Sequence, residues 1–156
     1  MTAPIPPSGI PTTPAVPAAA ASTAASTSTT RLSHARHNRE VCDLLTANGQ
    51  FSDWVVTTAF YAAMHRVQAH VFPYNDGTRT YANIGQYAAS ISSRSNRVSK
   101  HEATERIVRQ VLPAVSNKYS RLFDICYTAR YIQYQTAPTI AVLARNCLEA
   151  IEQACV

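Results

Sequence analysis

Residues 52–72 read SDWVVTTAFYAAMHRVQAHVF, and no other stretch limits the fold as tightly. A helix apolar on nearly every side must stand at the centre of a bundle, with neighbours on most of its surface. Its polar positions are Thr58, Tyr61, His65 and Gln68. Their spacing of three, four and three residues lays them along one stripe. Trp54, Val55, Ala59, Ala62, Ala63 and Val67 make up the expected buried remainder, and its small residues allow close approach. Ser52 is expected to cap the helix and Asp53 to complement its positive end, with Phe51 stapled onto Val56. His65 and Arg66 interrupt the apolar run, so it does not read as a bilayer span, and no membrane partner is expected.

The other segments also carry the helical period. A first helix is predicted over residues 33–48, ending at Gly49, with Val41, Leu44 and Leu45 inward. Its opening turns are polar, with His34, Arg36, His37, Asn38 and Arg39. Residues 73–98 read as irregular, with PYNDGT as a turn and a short helix over 81–91. Ser99 and Glu102 form a capping box, and Ile107, Val108, Val111 and Leu112 follow at helical spacing. Pro113 kinks or breaks that run. Val115, Tyr119, Leu122, Phe123, Cys126 and Arg130 continue it, and a last helix is predicted over 139–154 with Ile140, Leu143, Cys147, Leu148 and Ile151 inward. No segment alternates with a period of two for long. The fold class is therefore all-α, an antiparallel bundle of four to five helices, and the apolar last helix suggests a homodimer.

Residues 1–30 contain no charge and six of the nine prolines, a composition that cannot bury enough apolar surface to offset its ordering entropy. They are expected to be a disordered tail ahead of a helical domain over 31–156. With no basic start and no leucine-rich core, the tail does not read as a signal peptide. Cysteines at 42, 126, 147 and 155 form no C-x-x-C pair, and Cys126 and Cys147 fall on apolar stripes. Buried reduced thiols and a cytoplasmic setting are expected.

All 14 Lys and Arg residues lie after residue 30, and only Lys100 and Lys118 are lysines. Arginine presents a planar fork suited to phosphate, which favours RNA or a nucleotide as partner. Basic residues concentrate at Arg94, Arg97, Lys100, Arg106, Arg109, Lys118 and Arg121, opposed there only by Glu102 and Glu105. His101 stands in the first turn of its helix, where free N–H groups favour an anion and a neutral imidazole. The chain has no H-E-x-x-H and no Glu-x-x-His, so no metal and no cofactor is expected.

RHNREV, DWVVTTAFYAAMHRVQAHV, HEATERI and YTARY together resemble the HEPN superfamily of small helical domains, over residues 34–131. The likeness is to members whose second helix reads Phe-Tyr-Ala-Ala-x-His. It implies a dimeric helical bundle and a metal-independent ribonuclease carrying an arginine four to six residues before a histidine. Carried over, His101 is the motif histidine and Arg94 the motif arginine, with Arg106 as a second candidate. Arg97, Lys100 and Arg109 would hold flanking phosphates. Tyr61 and His65 would be signature residues bonded inward, towards Arg130 or the polar start of the first helix. The function so implied is RNA binding, and endoribonuclease action as a toxin or defence factor. Ser95 stands where Asn, Asp or His commonly follows the motif arginine, and Ala103 where many members have a tyrosine; both departures favour an alternative. In that alternative the chain is a non-catalytic partner module, binding an antitoxin-type protein or a nucleotidyltransferase in a toxin–antitoxin or defence cassette.

Overall fold

The computed structural model describes residues 18–156, with side chains from residue 28 onward. Helices α1 (Ala18–Asn48) and α2 (Ser52–Val71) come first, then a hairpin of β1 (Tyr74–Asn75) and β2 (Thr80–Tyr81). Helices α3 (Ile84–Ile91), α4 (Lys100–Val111), α5 (Ser116–Tyr131) and α6 (Pro138–Ala154) follow. The protein is an all-α bundle, with six helices among the described residues rather than four or five. Pro113 accounts for part of the difference. It opens a single 3-10 turn, Pro113–Val115, that separates α4 from α5.

Helix α2 is central, packing against α1, α4, α5 and α6. Val55, Val56, Ala59, Phe60, Ala62, Ala63 and Val67 are all buried, and Ile107, Tyr119, Leu122, Leu148 and Ile151 meet them in one core. Cys42 of α1 faces the Val55 carbonyl and Ser28 donates to the Ala69 carbonyl, so α1 and α2 run antiparallel.

Helix α1 corrects two expectations. It begins at Ala18 and not at residue 33, because its alanine-rich start has high helix propensity and Ser28 and Arg31 are anchored on α2. Arg31 is only 9% exposed; it donates to the Gln68 carbonyl and lies 5.2 Å over the Phe72 ring. The part of the expected tail before Ala18 lies outside the described residues. Leu44, expected inward, is 71% exposed, because the inward line runs through Arg31, Ala35 and Cys42. Leu44 sits two positions beyond Cys42, roughly 200° round the helix.

The start of α2 also differs. Phe51 is the N-cap residue, without a side-chain cap, and its ring is exposed rather than stapled inward. Trp54 is 57% exposed instead of buried. The capping box at α4 forms as read: Ser99 Oγ accepts from the Glu102 N–H, and the Glu102 carboxylate accepts from the Ser99 N–H. PYNDGT is the hairpin tip, with Gly77 at φ 95°. There the Thr78 N–H, with the Thr78 hydroxyl, Arg79 N–H and Tyr81 hydroxyl, holds the Asp76 carboxyl well below the usual range.

All four cysteines are free and buried. Burial pushes the Cys126 and Cys155 thiols up to about 11, so neither offers a thiolate near neutrality. Among the described residues, no helix is long and apolar enough to cross a membrane.

Candidate functional site

A cleft of about 370 Å³ opens where α1, the first turns of α2 and the end of α5 meet. Asn38, Asp53, Trp54, Tyr61, Arg130 and Tyr134 are among the residues that line it. Three of the six are aromatic. Trp54, Thr58 and Tyr61 recur every three or four residues on α2, which turns them to one side of the helix.

Arg130 faces that side from α5. Its Nη1 donates to the Tyr61 hydroxyl at 2.6 Å, and its guanidinium lies 5.0 Å over the Tyr131 ring. Among the described residues no carboxylate pairs with Arg130, so its charge stays available to an anion. The Asp53 carboxylate is likewise without a hydrogen bond or ion pair there; only its main-chain carbonyl is used, by Thr57.

Behind Tyr61, Phe60 leads to His101. Phe60 lies 5.6 Å from Tyr61 and 5.6 Å from His101, and Phe123 stacks on the imidazole at 5.6 Å and lies 5.5 Å from Phe60, so Phe60, His101 and Phe123 form a triangle of rings. His101 Nδ1 is buried and unbonded. Burial, and after it the charge of Arg130, lowers the His101 pKa. The neutral form of the ring is therefore favoured.

The other anticipated residues are distributed as follows. Tyr61 and Arg130 meet directly, whereas His65 turns to the middle of α1, edge-on to His34 at 5.1 Å. His65 Nδ1 is buried without a partner, and its pKa is lowered by burial, then by His34 and Arg31. Thr58 and Gln68 give His65 nothing, since they bond to the Trp54 carbonyl and to Thr104. Arg94 and Arg97 sit on the exposed segment ahead of α4. Arg97 and Lys100 line a second, shallower groove of about 380 Å³ beside α3. Arg106 is exposed and acts electrostatically on Tyr87 and Glu102, and Arg109 is paired with Glu105 at 2.7 Å. The arginine whose charge reaches His101 is thus Arg130, not Arg94 or Arg106.

Sequence reasoning missed Asp53, Trp54, Asn38 and Tyr134 as cleft residues. For Trp54 a signal exists, since it precedes Tyr61 by seven residues, two turns on the same face. For Tyr134, in the connection to α6, the local sequence carries none. Among the described residues no group of three or more His, Cys, Asp or Glu side chains could hold a metal ion. No protein-family model matches the chain, and no curated protein matches it.

Proposed function

We propose that this chain is a HEPN-like RNA-binding protein that cleaves single-stranded RNA by acid–base chemistry without a metal, as a toxin or defence factor. One arrangement carries the reading: His101, with Nδ1 buried and unbonded, packs on Phe60, and the adjoining Tyr61 holds an arginine that no carboxylate neutralises. A base beside an unspent cation is the minimum that transesterification of RNA requires. His101 takes the proton from a ribose 2′-hydroxyl, whose oxygen attacks the adjacent phosphorus. Arg130 stabilises the charge that builds on the phosphorane, in place of Arg94 or Arg106, the candidates for the motif arginine. The P–O bond to the 5′-oxygen breaks, the imidazolium returns a proton to that oxygen, and a cyclic 2′,3′-phosphate remains. Arg97 and Lys100 hold flanking phosphates, so affinity falls with salt. A homodimer brings two such sites into one assembly.

The test is incubation of the purified protein with mixed single-stranded RNA, alongside His101→Ala. Cyclic phosphate ends that disappear in the variant support the reading. Cleavage at the wild-type rate by His101→Ala ends it.

A second reading, the non-catalytic partner module, is favoured by the exposed run of Tyr127, Tyr131, Ile132 and Tyr134 at the end of α5. Large apolar side chains grouped on a surface mark interaction sites. Co-purification with a stable protein partner, together with no cleavage of any RNA, supports that reading over the first.

A further inference from the structure

We propose that the cleft between α1, α2 and α5 reads guanine: it takes one unstacked guanine base from a single RNA strand and places the attached phosphate at Arg130. The proposal rests on the RNA reading for its substrate, but its evidence is the cleft itself.

Size sets the first limit. About 370 Å³ lies at the small end of ligand pockets and suits one nucleotide, not a helix. The surfaces inside set the second. Trp54 is 57% and Tyr134 76% exposed, so two flat aromatic faces stand open where a base can stack.

Charge then selects the base. An ionised carboxylate only accepts hydrogen bonds, through two oxygens side by side. Guanine alone among the four RNA bases offers two adjacent donors on its pairing edge, N1–H and N2–H. Adenine and cytosine set a donor beside an acceptor, and uracil flanks one donor with two acceptors. Asp53 brings such a carboxylate into the cleft with no internal partner. An aromatic pocket with an acid would also attract an alkylammonium ion, but Arg130 in the same cleft repels one. Asp53 and Arg130 line one cleft without forming an ion pair, so the first is left for donors and the second for an anion. A nucleotide presents both.

Trp54 is the only tryptophan of the chain, so the cleft carries its own reporter. The experiment titrates the full-length protein with GMP, AMP, CMP, UMP and guanosine, following tryptophan emission. Saturable quenching by GMP, roughly tenfold or more tighter than by AMP, is expected. Asp53→Asn should bring GMP and AMP within about threefold of each other, with the melting temperature recorded to show an intact fold. Arg130→Gln should weaken GMP but leave guanosine unchanged. Equal affinity for GMP and AMP, or a full guanine preference in Asp53→Asn, overturns the proposal.

Two further arms separate its parts. Short single strands containing one guanine should bind tighter than GMP, and the same strands with adenine there should not. GMP binding that no such strand displaces overturns the RNA assignment. Arg39→Ala, outside the cleft, should bind GMP as the wild type does. Guanine-selective quenching in a protein that cuts no RNA therefore supports the pocket while the cleavage reading falls.

Discussion

Arg39 and Arg130 both stand where helices meet, and their surroundings differ in kind. Arg39 lies between α1 and α6, 3.1 Å from Asp43, 2.6 Å from Glu152 and 3.6 Å from Glu149. Arg145 closes the group at 2.8 Å from Asp43. Burial works against the Arg39 charge, but Asp43, Glu152 and Glu149 outweigh it and hold its pKa above the ordinary value. Arg130 has a phenol and an aromatic face instead. A guanidinium ringed by carboxylates fastens two helices and offers little to an incoming anion. One oriented by a neutral hydroxyl keeps its charge for whatever arrives.

The largest effect should come from the far side of Arg130. His101→Ala should slow RNA cleavage by roughly 100- to 10,000-fold while thermal unfolding stays cooperative. Arg130→Ala should cost about 100- to 1,000-fold in rate, as loss of one transition-state donor does. Arg39→Ala should do the reverse, leaving the rate within about twofold and lowering stability by roughly 1 kcal/mol in urea titration. If Arg39→Ala abolishes cleavage in a folded protein, the contrast between the two arginines is lost.

A smaller effect is expected with pH. His65 and His101 have folded pKa values lowered from 6.5, each by burial first. The unfolded chain therefore takes up protons at a pH where the folded chain does not. Stability is fully present above pH 6.5 and declines as pH falls through the folded values. His65→Asn should flatten this slope in melting temperature between about pH 7.5 and about pH 5. A slope as steep as that of the wild type would place the buried proton sites elsewhere. The smallest effect is none: EDTA should leave the cleavage rate unchanged, and a rate that collapses and returns with a divalent ion would rule out the acid–base reading.

What was legible in the sequence followed from period. The buried face of α2, the capping box at Ser99 and Glu102, and the buried cysteines all depend on residues within a few turns of one another. The face of α1 was misread at Leu44, because apolarity alone cannot tell which side of a half-polar helix meets its neighbours. Arg31, a charged residue, took an inward position through its stacking on Phe72. The cleft was legible only along α2. Its opposite wall comes from Arg130 and Tyr134; the resemblance implied the meeting of Tyr61 with Arg130, which no spacing along the chain encodes, whereas nothing in the sequence pointed to Tyr134.

The four thiols have a use independent of any ligand. Cys42, Cys126, Cys147 and Cys155 are each at most 4% exposed and are spread over α1, α5, the middle of α6 and its C-terminal end. A folded molecule hides them all from an alkylating reagent, so each label taken up records an opening event. Mapping labels by mass would show which helix leaves first: Cys42 reports separation of α1 from α2, and Cys155 fraying at the end of α6. A cysteine introduced on the surface would meanwhile react alone, allowing a dye to be attached without removing a native residue.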